Sequence, residues 1–74
     1  PVTTIEFSLS KSSDVELKVF DISGKEIETL FGQSNANAGT YKVRFDGLKY
    51  SSGIYFYTML LNGNIVNSKK MISC

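Results

Sequence analysis

The 74 residues contain no histidine, and the single cysteine, Cys74, stands at the last position. A histidine-based triad, a His-ligated metal and a cysteine-rich zinc site are thereby excluded within this chain, and so is an internal disulfide. Charge of one sign is also scarce: eight basic against seven acidic residues leave a formal net charge of +1. That balance excludes the basic bias of a dedicated nucleic-acid binder and equally an acidic tail. No long hydrophobic run exists. The longest, residues 54–61, includes Thr58 and has about a third of the length a membrane-spanning helix needs. There is no basic-then-apolar leader, and the chain opens on Pro1 rather than Met, so it reads as a piece excised from a longer protein. Its length suits one small domain, which buries only about 60% of the surface that its unfolded chain exposes.

What is present is strand after strand. Ile5, Phe7 and Leu9 alternate with Glu6, Ser8 and Ser10, the period-two signal of a half-buried strand. Val15, Leu17 and Val19 alternate with Glu16 and Lys18. Phe20 falls on the polar parity, which predicts that it covers an edge or packs under a loop. Asp21-Ile22-Ser23-Gly24 reads as a turn, because Asp can accept hydrogen bonds from backbone amides ahead of it and Gly takes positive φ at little cost. A short third strand is expected from Lys25 to about Leu30, with Ile27 inward. Residues 32–39 (GQSNANAG) read as a loop without regular structure. Tyr41, Val43 and Phe45 alternate with Lys42 and Arg44, and Asp46-Gly47 closes that strand. Leu48 is expected to plug one end of the core, and Tyr50, in the same loop, to be exposed. Residues 54–61 fit a central strand covered on both faces. Asn62-Gly63-Asn64 is a tight hairpin signal that pairs a last strand, from Ile65 to about Ile72, back on it.

Six or seven short strands with no helical period predict an all-β, immunoglobulin-like antiparallel sandwich. Its expected core is Ile5, Phe7, Val15, Leu17, Val19, Ile27, Tyr41, Val43, Phe45, Tyr55, Tyr57 and Met59.

Catalytic chemistry finds little footing. The acids Asp14, Glu16, Asp21, Glu26, Glu28 and Asp46 are spread over turns and outward strand positions, and read as turn chemistry and solvated faces. The ligand alternation from Asp14 to Asp21 is wrong for a calcium loop. The glycines form no phosphate-cradling loop before a helix. Aromatics at strand spacing read as core rather than as a stacking platform. No catalytic residue, metal site or cofactor is expected. Lys69-Lys70-Met71-Ile72 stands apart. Composition alone makes these lysines guards of an edge strand against sheet-to-sheet pairing; the functional alternative is an address read by a partner. Period two places Lys69 and Met71 on one face and Lys70 and Ile72 on the other.

An ordered set of motifs spans the chain: Thr4-Ile5-Glu6-Phe7-Ser8-Leu9, then Ser13-Asp14-Val15-Glu16-Leu17-Lys18-Val19-Phe20-Asp21-Ile22-Ser23-Gly24-Lys25-Glu26-Ile27, then Ala38-Gly39-Thr40-Tyr41-Lys42-Val43-Arg44-Phe45-Asp46-Gly47, Ser52-Gly53-Ile54-Tyr55-Phe56-Tyr57 and Lys69-Lys70-Met71-Ile72. In that order and spacing it resembles the type A C-terminal sorting domain of the type IX (Por) secretion system. The same pattern, with weaker tail motifs, is similar to the immunoglobulin-like domain of flagellar hook-capping proteins. Members of the sorting family usually carry Pro-Asn-Pro just upstream and often end in an apolar run closed by Lys; here there are Pro1 at the start and Ser73-Cys74 after Ile72.

The resemblance implies one non-catalytic sorting domain over residues 1–74, with cargo domains N-terminal to it in the same chain. In transit through the periplasm it would be bound by the outer-membrane secretion machinery. A sortase-like processing enzyme would then remove it, leaving the cargo secreted or on the cell surface. Asp21, Gly24, Gly39, Asp46, Gly47, Gly53 and Tyr55 would be its structural motif: a strand–turn–strand corner at Asp21 and Gly24, a bend at Gly39, and close backbone approach at Gly53. Lys69, Lys70, Met71 and Ile72 would be candidates for recognition. The alternatives are an accessory immunoglobulin-like or carbohydrate-binding module of an extracellular enzyme, which requires an exposed aromatic row, and a hook-capping-like domain.

Overall fold

A computed structural model describes residues 2–73, without the side chains of Leu48 and Ser73. The expected plug by Leu48 and the readings on Pro1 and Cys74 lie outside the described residues. Six strands follow in order: β1 (Val2–Leu9), β2 (Ser13–Asp21), β3 (Glu26–Ala36), β4 (Gly39–Asp46), β5 (Gly53–Leu61) and β6 (Asn64–Ser73). One turn of 3-10 helix, Gly47–Lys49, interrupts them. β1 and β4 form a two-stranded sheet, and the other four form a sheet in the order β3-β2-β5-β6. All pairings are antiparallel. The fold is an all-β sandwich.

The period-two residues account for its core. Ile5, Phe7 and Leu9 of β1 and Val43 and Phe45 of β4 face Val15, Leu17 and Val19 of β2 and Tyr55 of β5, all of them buried. Leu17 and Val19 have no exposed surface at all. Tyr41, Tyr57 and Met59 pack around this centre, half-buried. Two aromatic clusters close the space between the sheets. Phe7 stacks on Tyr41 at 5.3 Å with Phe31 edge-on to Phe7, and Phe45 stacks on Tyr50 at 5.2 Å with Tyr55 beside it.

Several expectations are corrected. Ile27 is exposed, because the register passes from Val19 opposite Glu28 to Phe20 opposite Glu26 and leaves Ile27 as the extra residue of a bulge. Residues 32–36 are not loop but the second half of β3, with Gly32, Gln33 and Ala36 paired to Glu16, Val15 and Ser13. An edge strand with one wet face and two further register shifts has no clean alternation to show. Phe20 neither covers an edge nor packs under a loop: it faces outward from the four-stranded sheet, opposite Phe56 of β5. Tyr50 is half-buried rather than exposed. β5 is an inner strand, but among the described residues no strand lies over the sheet face that carries Ile54, Phe56 and Leu60, so the second sheet covers it on one face only.

Candidate functional site

The tail motif lies on β6, and β6 is placed by the hairpin before it. Asn62 and Gly63 both adopt positive φ, 52° and 83°, the left-handed pair that a two-residue turn between twisted strands demands. A backbone–side-chain clasp fixes this hairpin to the start of β2. Asn62 donates its N–H to the Asp14 carbonyl at 2.8 Å, and its Oδ1 accepts the Asp14 N–H at 3.0 Å. The Asp14 carboxylate in turn accepts the Asn35 N–H of β3 at 2.8 Å. Three strand ends are tied at one point. A polar recess of about 340 Å³ between Asp14, Glu16, Gln33, Ser34 and Gly63 lies beside it, at the other end of β6 from the tail motif.

From that anchor the register runs evenly after one bulge at Met59/Leu60. Lys69 stands opposite Tyr57 and Met71 opposite Tyr55, on the side facing β1 and β4; Lys70 stands opposite Phe56 and Ile72 opposite Ile54, on the outer side. The period-two assignment of the faces is thus met. Met71 packs against the core, while Lys69, Lys70 and Ile72 are exposed. Lys69 stays exposed despite its inward side, whereas Met71, two residues on, packs against the core. Neither lysine has an ion-pair partner among the described residues. On the outer face a hydroxyl pair, Thr58 with Ser68 at 3.2 Å, joins β5 to β6. β6 has one neighbour only, so its far edge presents unpaired backbone N–H and C=O groups.

Most of the motif residues gather at the end of the sandwich where β6 finishes. Asp21 pairs in register with Tyr55, and Gly53 with Ser73. The Asp21 carboxylate accepts from the N–H of Ser23 at 2.9 Å, the hydroxyl of Ser23 at 2.6 Å and the N–H of Lys25 at 3.0 Å. These bonds, the Ser23 hydroxyl first, hold its pKa below the ordinary 3.8. Gly24, at φ 87°, lets the same turn close through a 3.0 Å bond to the Asp21 carbonyl. Tyr55 donates its hydroxyl to the Ser51 carbonyl at 2.6 Å. Asp46 ends β4 and Gly47 opens the 3-10 turn that leads to Tyr50 at this end. Gly39 is the exception: it opens β4 at the opposite end, opposite Leu9. Gly53 does not serve close backbone approach, since a Cβ there would meet the Tyr55 ring at an ordinary 3.9 Å.

Two contacts had no signal in the sequence. Tyr50 donates its hydroxyl to Glu28, which therefore is not an outward solvated acid. Burial first, and then this bond to a carboxylate, push the Tyr50 pKa well up from 10.0. The second is Asn35, whose positive φ of 51° turns its N–H onto Asp14. A positively charged strand at an open sheet edge, locked in register by a hairpin clasp, is the geometry of a β-sandwich that offers its last strand outward.

The model of the secretion system C-terminal sorting domain matches residues 1–73. The chain belongs to that family, and so is a C-terminal sorting signal for type IX secretion. Such a domain is the tail of a cargo protein, is recognised by the type IX machinery, and directs export to the cell surface or the extracellular space. The family is one of sorting signals. No curated protein and no solved structure matches the chain. No helix among the described residues is long and apolar enough to cross a membrane.

Proposed function

We propose that residues 1–74 form one sorting domain of a larger secreted protein, and that the domain is recognised as a folded unit through β6. The observation that carries this reading is the open edge of β6 with exposed lysines on both of its faces. An extended receptor segment can add to that edge by backbone hydrogen bonds, which are independent of side chains, while Lys69 and Lys70 select an acidic partner from either side. Ile72 adds an apolar contact on the outer face; Met71, packed on the core, holds the strand in place. The domain itself performs no catalysis. It meets the outer-membrane machinery during periplasmic transit, and a sortase-like enzyme separates it from the cargo afterwards. Asp21, Gly24, Asp46, Gly47, Gly53 and Tyr55 build and hold one end of the sandwich, and Gly39 the start of β4 at the other, rather than touch the receptor. The carbohydrate-binding alternative needs a row of exposed rings; Phe7, Phe31, Tyr41, Phe45, Tyr50 and Tyr55 are engaged with one another between the sheets, and the two neighbouring rings on the outer face, Phe20 and Phe56, are half-buried.

The test is Lys69→Gln with Lys70→Gln in a cargo carrying a reporter. Exposed charges contribute less than about 1 kcal/mol each, so the doubly substituted domain stays folded. We expect its thermal melt to be unchanged and the reporter to accumulate in the periplasm. Normal surface delivery would reduce the lysines to edge guards.

A further inference from the structure

β5 carries apolar side chains on both faces, and no other strand among the described residues lies over the outer one, where Ile54, Phe56 and Leu60 are half-buried and Thr58 is buried among its neighbours. Across this outer face the register aligns one row over all four strands: Glu26 of β3, Phe20 of β2, Phe56 of β5 and Lys70 of β6. Glu26 is fixed to this side by its 3.2 Å ion pair with Lys18. The row therefore reads acid, ring, ring, base. A two-fold axis parallel to the strands, placed between β2 and β5, turns that row onto itself. It sets Phe56 of one copy against Phe20 of the other, and Lys70 against Glu26, each contact occurring twice. The next row obeys the same operation: Ile72, 67% exposed, pairs with Ile54 on β6 and β5, while Ile22, 70% exposed, stands in the turn after β2. The axis brings Ile54 of one copy toward Ile22 of the other, and Ile72 toward the turn that leads into β3.

The charges of the two halves are complementary as well. The β2–β3 half presents Glu16, Lys18 and Glu26, two acids and one base; the β5–β6 half presents Lys70. We propose that this outer face is a dimerisation surface, and that its occupant is a second copy of this chain stacked face to face. Sheets stack in this way about 10 Å apart with strand directions within about 30°. A foreign partner would have to match only one of the two halves; the acid–ring–ring–base order matches itself. Stacking covers Lys70 and Ile72 but leaves the far edge of β6 and Lys69 open. Lys70 and Ile72 serve both readings, so the variant that separates them is Glu26→Lys, which lies on β3 away from the recognition strand: a monomeric Glu26→Lys domain that is still delivered leaves the sorting role standing.

The experiment is analytical ultracentrifugation of the 74-residue chain from about 10 µM to about 1 mM, a range that resolves weak self-association. The expected result is a rise toward twice the mass of one chain. Lys70→Glu and Glu26→Lys should each weaken association at least about tenfold, and the two together should restore it to within about threefold of the parent. Thermal melts of each variant establish that it is folded. Backbone amide shifts on dilution should map to Phe20, Ile54 and Phe56. A single-chain mass at every concentration would overturn the proposal. So would a dimer indifferent to both charge reversals, or dilution shifts confined to β1 and β4 or to the outer edge of β6.

Discussion

Replacing Leu17 by alanine probes the sandwich at its centre. The side chain has no exposed surface, and its register partners are Phe31 on β3 and Met59 on β5, so it is enclosed within its own sheet as well as by β1 and β4. Deleting three buried carbons at about 0.8 kcal/mol each removes about 2.4 kcal/mol of transfer free energy. A residual cavity of about 50 Å³ at about 24 cal/mol per Å³ adds roughly 1 kcal/mol. The sum is between about 3 and 4 kcal/mol. A domain of this size has a total stability of about 4–11 kcal/mol, so the substitution removes between about a third and nearly all of it. Urea titration followed by circular dichroism is the assay. With a slope of about 1 kcal/mol per molar, the midpoint should fall by about 3 M. Val15→Ala, which deletes two carbons rather than three, should cost less. A loss below about 1 kcal/mol for Leu17→Ala would mean that the two sheets do not close over β2 as described.

Tyr50 and Asp21 make the pH dependence testable at both ends. Because its folded pKa is raised, the Tyr50 hydroxyl holds its proton more tightly in the native state; its contribution is complete below pH 10 and is lost as pH rises beyond it. Tyr50→Phe should flatten that alkaline limb and cost about 1 kcal/mol at neutral pH, because Glu28 keeps access to water; an unchanged limb would place the loss elsewhere. The depressed pKa of Asp21 works in the opposite direction: its contribution is present above pH 3.8 and disappears as pH falls through the lower folded value. Asp21→Ala should lower the melting temperature at pH 7 and have little effect at pH 2, and equal effects at both would show that the carboxylate is not what closes the turn.

The parts of the fold that alternate strictly were legible. In β1, β2 and β4 each side chain's parity fixes its face, and the buried residues are those on the inward parity. The turn at Asp21 and the hairpin at Asn62-Gly63 were legible for a different reason, since positive φ restricts the residues that can stand there. β3 was half hidden. Its bulges break the period, and its polar second half takes structure from backbone pairing with β2 rather than from its own side chains. The place of Tyr50 was invisible, because a loop residue's direction is set by what it meets, here Phe45 and Glu28. For the tail, period two gave the face of each lysine, but not that Lys69 would stay exposed while Met71, on the same side, packs against the core. The ordered motif set pointed to the sorting family where no single piece did, because each piece alone is ordinary β-sandwich grammar.

The central claim is that this folded domain acts as a sorting signal for type IX secretion. A reporter with an N-terminal export signal, fused ahead of residues 1–74 and produced in a cell that carries the type IX machinery, tests it most directly. Reporter is expected at the cell surface or in the medium, and held inside the outer membrane when either the domain or the machinery is removed. Equal retention with and without the domain, while circular dichroism shows the purified domain to be folded, would contradict it.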